Sequence, residues 1–209
     1  AYDAGALAMN PAQLHCIEGL HEPGARNFAE VLEVVTDPRI ARLDNDAVDW
    51  VLLGLRGQGR DLDGALALAG AGDSMAIDLG QMTLSVRGLT VAMGGTPLFY
   101  LAWYANSRKE GDGWITNPAS NRPDVEAAAE LADLMSRHDG HARAINDLQQ
   151  AGLKARTLDQ NRSKIKEELV ATLGESLAAG YLFETSKHPD GVRMRYRLAL
   201  PGDRIRLVT

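Results

Sequence analysis

Apolar residues recur along this chain with two different periods, and the change of period marks its most regular stretch. Ile165, Leu169, Leu173 and Leu177 fall at every fourth position, and Val170 and Ala178 widen the stripe. That spacing predicts one buried face of a long α-helix. Thr157 or Asp159 is placed to cap its start, and Gly180 stands where a left-handed stop is needed. Gly174, inside it, costs such a helix about 1 kcal/mol relative to alanine. The period then becomes two. Residues 181–185 are rich in aromatic and β-branched types, which suits a strand. Lys187-His188-Pro189-Asp190-Gly191 reads as a turn. Beyond it Val192, Met194, Tyr196 and Leu198 share one face, and Arg193, Arg195 and Arg197 the other. A strand over 192–200 is therefore expected to pair with 181–186. After a Pro201-Gly202-Asp203 turn, Arg204 and Arg206 alternate with Ile205 and Leu207 in a short last strand.

Upstream, the helical period returns several times. Asn10-Pro11 opens a short helix through Leu14, Ile17 and Leu20. Phe28, Val31, Leu32 and Val35 line a second, which Asp37-Pro38 ends. Asp44 or Asn45 caps a third, with Val48, Val51, Leu52 and Leu55 as its core stripe. Residues 61–71 form a short Ala/Leu helix. Two strands are expected at 75–79 and 82–86. Thr96 caps and Pro97 starts a helix whose core side is Leu98, Leu101, Ala102 and Ala105. Phe99, Tyr100, Trp103 and Tyr104 make it the most aromatic stretch, and aromatics at helical spacing point to core or interface. Residues 114–116 form a short strand. Asp124 caps a helix through Val125, Ala128, Leu131 and Leu134, which ends at His138-Asp139-Gly140-His141, and residues 142–151 form another. The fold class is α+β and mostly helical, with an acidic helical region at 1–73 and a second domain at 74–209.

Charge divides the chain as the pattern does. Residues 1–135 carry 9 Lys+Arg against 19 Asp+Glu, net −10, and residues 136–209 carry 13 against 9, net +4. A polarised chain of this kind suits a protein whose basic end meets a polyanion while its acidic end repels it or meets a protein. Cys16 is the single cysteine, which excludes an intrachain disulfide and fits a reducing, cytoplasmic setting. No apolar run reaches the ~18 residues of a membrane span.

Candidate chemistry is sparse. His15, Cys16 and His21 lack the paired spacings and fourth ligand that zinc requires. The glycine-rich segment 54–59 lacks the lysine and spacing of a P-loop. His138 and His141 flank Asp139 near a helix end, where partial negative charge attracts them, and no nucleophile with an orienting base stands nearby. No metal or cofactor is implied. The cations are more telling. Gln160, Asn161, Arg162, Lys164 and Lys166 cluster within seven positions at the start of the long helix. They combine amides able to read adenine with cations able to reach phosphate or guanine.

From Pro97 onward the order is helix, short strand, helix, short helix, long helix, hairpin. This resembles the winged-helix domains of plasmid and phage replication initiators, with the corresponding parts at 97–107, 114–116, 158–179 and 181–200. The resemblance implies duplex-DNA binding by an initiator or transcription regulator. Its DNA-facing residues would be Gln160, Asn161, Arg162, Lys164 and Lys166 on the helix, and Arg193, Arg195, Arg197, Arg204 and Arg206 on the wing. Residues 1–73 do not repeat the pattern as a second winged helix. Two other classes stay open: a protein-interaction module that binds through its acidic half, and a small enzyme with a dispersed site.

Overall fold

The computed structural model describes residues 9–20, 28–57 and 61–208. They fall into two compact units, Ala1–Gly72 and Asp73–Thr209.

The first unit is helical: α1 (Pro11–Leu20), α2 (Phe28–Thr36), α3 (Asn45–Gly57) and α4 (Leu62–Gly70), with a 3-10 turn at Ile40–Arg42. The entry to α1 is a capping box. The side chain of Asn10 accepts from the Gln13 amide, and that of Gln13 accepts from the Asn10 amide, each at 3.0 Å. Asp44 caps α3 and Asp61 caps α4. Cys16, Leu20, Ile40, Val48, Val51 and Ala65 form the centre of its core. Leu14, expected on the inner face of α1, is half exposed. His15 instead reaches Asp49 of α3 across 2.7 Å. His21 lies outside the described residues.

The second unit is α+β. One sheet runs in the order β3-β2-β1-β7, made of β1 (Met75–Asp78), β2 (Thr83–Val86), β3 (Leu89–Val91) and β7 (Ile205–Val208). β7 lies parallel to β1, and the other neighbours are antiparallel. The second sheet runs β4-β6-β5, with β4 at Ile115–Thr116, β5 at Phe183–Lys187 and β6 at Met194–Leu198. Four helices complete the unit: α5 (Gly95–Glu110), α6 (Val125–Arg137), α7 (Ala142–Ala151) and α8 (Ala155–Ala178). α5 is the hub. Every residue from Pro97 to Ala105 is buried, and the helix packs on α6, α8, β6 and β7. Its own end holds the last crossover, because Arg108 donates to the Leu200 carbonyl and Lys109 to that of Ile205. Tyr181 ties the long helix to the first sheet through a 2.7 Å bond to Asp73, which also pairs with Arg87. Burial alone raises the Asp73 pKa, but the Tyr181 and Arg87 contacts outweigh it and hold the carboxyl below its usual range.

Several expectations need correction. The long helix begins at Ala155, with Lys154 as its cap residue and no side-chain cap, so neither Thr157 nor Asp159 plays that part. It is also two segments joined at Gly174, whose backbone (φ 80°, ψ 163°) is not helical. Gly180 makes no left-handed stop, since residues 179–181 turn in a 3-10 bend. β3 is only three residues long, too short for an alternating pattern to announce it. α5 starts at Gly95 with no side-chain cap from Thr96; the Gly94 amide donates to Glu168 of α8 instead. Val125 and Val192, assigned to inner stripes, are 71% and 86% exposed. β7 does not extend the hairpin. It crosses to the other sheet and carries Arg206, with Arg204 in the 3-10 turn just before it, away from Arg193, Arg195 and Arg197.

Gly174 offers a sharp test. A Cβ there meets nothing within 4 Å, so only its backbone angles oppose substitution. In a straight helix Gly174→Ala would stabilise by about 1 kcal/mol. At this glycine-only φ/ψ it should destabilise by about 1–3 kcal/mol in urea unfolding, and a stabilised variant would refute the break.

Candidate functional site

α7 and α8 are joined by only three residues, Gly152, Leu153 and Lys154. Gly152 has φ 68°, and a Cβ on it would lie 2.9 Å from Pro123 Cβ, so neither its conformation nor its space suits a side chain. Leu153 is buried and exchanges two 2.9 Å backbone bonds with Asp124, the residue that caps α6. The turn is thereby fixed to the start of α6, and α8 leaves it at a set angle.

At 100° per residue, the exposed side of the first turns of α8 is centred on Arg156, Gln160, Ser163 and Glu167. Lys164 and Lys166 flank that strip on opposite sides, and Lys154 precedes it; all three are exposed. Among the described residues no carboxylate pairs with Lys154, Arg156, Lys164 or Lys166. Lys154 and Arg156 join this surface because α8 begins at Ala155, before the first capping residue its sequence offers. Gly152, a helix stop three residues before a fresh apolar period, was the available signal.

Asn161 and Arg162 belong to the other side of this helix. Each is only 7% exposed, which removes both from any surface that reads bases. Asn161 donates to the Thr157 carbonyl one turn back. Arg162 gathers four elements. Its guanidinium donates to Tyr104 Oη of α5 at 2.6 Å and to Asn117 Oδ1 of the β4–α6 loop at 3.1 Å. It pairs with Asp159 of its own helix and stacks on Tyr196 of β6, 3.6 Å from the ring centroid. Asp159 is held in turn by Asn117. Burial pushes the Tyr104 hydroxyl up to about 12, against the opposing pull of Arg162, so it is a neutral phenol at any physiological pH.

The hairpin arginines are also engaged. Arg193 pairs with Asp190 at 2.6 Å. The Arg193 amide and guanidinium, with the Val192 amide, hold the Asp190 carboxyl well below the usual carboxylate range. Arg197 pairs with Glu184 across the strands at 2.7 Å. Arg195 and Arg197 both lie over the Trp114 ring, at 4.7 and 4.6 Å, and Arg195 Nε is buried without a hydrogen bond. No carboxylate lies between Val192 and Leu200 in sequence, but the turn and the neighbouring strand supply them. Arg206 is exposed on the other sheet, and Arg204 is exposed in the 3-10 turn that leads into it.

The remaining hollows have a different character. One of about 620 Å3 between α5, α6 and β7 is lined by Trp103, Glu110, Asp112, Glu130, Asp133 and Leu207, among others. A smaller one of about 320 Å3 takes in His138, Asp139 and His141 beside the start of α5. Among the described residues no three His, Cys, Asp or Glu side chains gather as metal ligands, and no helix is long and apolar enough to cross a membrane.

The geometry around Arg162 predicts that lysine cannot replace it, because a point charge supplies neither the planar stack nor the forked donors. Arg162→Lys should lower the unfolding free energy by about 2–3 kcal/mol in urea titration. A loss below about 0.5 kcal/mol would show the cluster to be dispensable.

No family model, curated protein or solved structure matches this chain, so the reading of the site rests on its residues and their geometry.

Proposed function

We propose that the second unit is a winged-helix-like module that binds duplex DNA, in the manner of a replication initiator or regulator. The helix α8 enters the major groove by its first turns, and the β5–β6 hairpin lies along the backbone as the wing. One observation carries this reading. A fixed three-residue glycine turn leads into an exposed strip of α8 that holds Arg156 and Gln160, with Lys154 before it and Lys164 at its flank, and among the described residues none of these three cations is ion-paired. A short turn with glycine between two helices is the form of a helix-turn-helix, whose second helix meets base edges with its early residues. The strand order β4-β6-β5, with the helices α6, α7 and α8 between β4 and the hairpin, also supports it.

Roles follow from chemistry. Arg156 suits guanine and Gln160 suits adenine, each by a bidentate contact. Lys154, Lys164 and Lys166 reach phosphate oxygens, and Lys187 extends that contact along the hairpin. Arg193, Arg195 and Arg197 shape the wing through Asp190, Trp114 and Glu184, and contribute to the interface by their field rather than as free donors. The acidic first unit, net −6 by its residue count over 1–72, is kept off DNA by repulsion and is available to a protein partner. A protein-interaction module is the alternative, favoured by the acidic hollow between α5 and α6; it binds no duplex even at low salt.

Fluorescence anisotropy on a duplex selected from a random pool separates the two. Lys154→Ala with Lys164→Ala should weaken selected and random duplexes alike and flatten the log–log salt slope by about 0.9 per lost contact. Arg156→Ala should cost about 1–3 kcal/mol on the selected duplex and much less on random DNA. Wild-type binding that is absent at low salt, or a slope unchanged in the double variant, would overturn the proposal.

A further inference from the structure

The two sheets of the second unit expose edges of unequal quality. At β7 the Ile205 amide is used by Gly202 and its carbonyl by Lys109, which leaves only Leu207 facing outward. β3 is three residues long and β4 two. β5 is different. The bonds His188 N to Arg193 O and Ala199 N to Leu182 O set the phase of its pairing with β6. Residues 184 and 186 therefore bond inward, and Phe183, Thr185 and Lys187 turn their amides and carbonyls away from β6. Among the described residues, only the Lys187 carbonyl of these six groups accepts a hydrogen bond, at 3.3 Å from the adjacent Ser186 hydroxyl. Thr185 and Lys187 are exposed.

We propose that β5 is a self-pairing edge, on which a second copy of this chain lays its own β5 antiparallel with Thr185 on the two-fold axis. Parity selects the register. All three outward residues find outward partners only when the pairs are Phe183 with Lys187, Thr185 with Thr185, and Lys187 with Phe183. Charge agrees with it. Glu184 then stands opposite Ser186, Lys187 stands over an aromatic ring, and no two like charges are directly opposed. A register centred on Glu184 would oppose two carboxylates, and one centred on Ser186 would bring Phe183 against Pro189, which has no amide to donate. The two three-stranded sheets join as a continuous six-stranded sheet, which is an isologous interface with C2 symmetry. The contact is small, so association is weak and concentration-dependent. It does not depend on the DNA reading, and the experiment below contains no DNA.

Only the residue on the axis faces its own copy, and this gives a test specific to the register. Sedimentation velocity of the full chain over a concentration series should show a reversible monomer–dimer equilibrium. Thr185→Lys and Thr185→Glu, at an exposed site, should each weaken dimerisation about tenfold or more by placing like charges in opposition. An equimolar mixture of the two variants should restore it, since Lys then faces Glu. Restoration also shows that both variants are folded. A wild-type chain that stays monomeric throughout, a Thr185→Lys variant that dimerises like wild type, or a mixture that fails to recover would each overturn the proposal.

Discussion

A buried guanidinium sets the geometry of the second unit. Arg162 lies on the inner side of α8, where an unpaired cation would be costly, and every direction in which it donates is occupied by a different element. Tyr104 belongs to the central helix, Asn117 to the loop after β4, Asp159 to α8 and Tyr196 to the hairpin. Satisfying one charge thus fixes the rotation of α8 and its distance from the hairpin together. With Arg162 turned inward, the opposite side of the helix necessarily presents Arg156, Gln160 and Ser163. The inner contact and the outer surface are two faces of one rotation.

The glycine turn before α8 acts with this contact. The Asp124–Leu153 bonds hold the turn to α6, so the start of α8 is fixed at both its ends of influence. Farther along, Gly174 releases the helix from its straight path before Tyr181 reaches Asp73. A continuous helix would carry Leu177 and Tyr181 on a different line. The break is thus a device for joining the α8 core face to the first sheet. Electrostatics adds a constraint of its own. Residues 73–209 hold 17 Lys+Arg and 17 Asp+Glu, so any attraction to DNA arises from how charge is distributed and not from its sum. Carboxylates of α5, the loop after it and α6 line the acidic hollow, while Lys154, Arg156, Lys164 and Lys166 stand without carboxylate partners among the described residues at the start of α8.

Much of this was legible in the sequence, and the failures have physical causes. The leucine stripe of α8, the caps at Asp44 and Asp124, and the hairpin around Gly191 follow from local periodicity and local hydrogen bonding, which the sequence records directly. Arg162 was misplaced because its type suggested the surface. Its position said otherwise, since Leu158, Arg162, Ile165 and Leu169 form the inner stripe at i, i+4, i+7 and i+11. Arg204 and Arg206 were joined to the hairpin because neighbouring strands usually pair. The parallel partner of β7 lies about 130 residues upstream, and no local pattern signals a pairing so distant. The carboxylates that hold Arg193 and Arg197 were missed for a related reason: Glu184 faces Arg197 only once the register is known.

On the proposed reading, the rotation set by Arg162 leaves the outer strip of α8, opposite the contact with Tyr196, as the face that meets duplex DNA. Backbone amide chemical shifts of the full chain, followed during titration with a duplex, test it directly. The largest changes should fall at residues 154–167, with a second group at 187–193, and the acidic face of α6 should stay unmoved. Changes centred on α6 or on residues 9–57, with 154–167 silent, would contradict it.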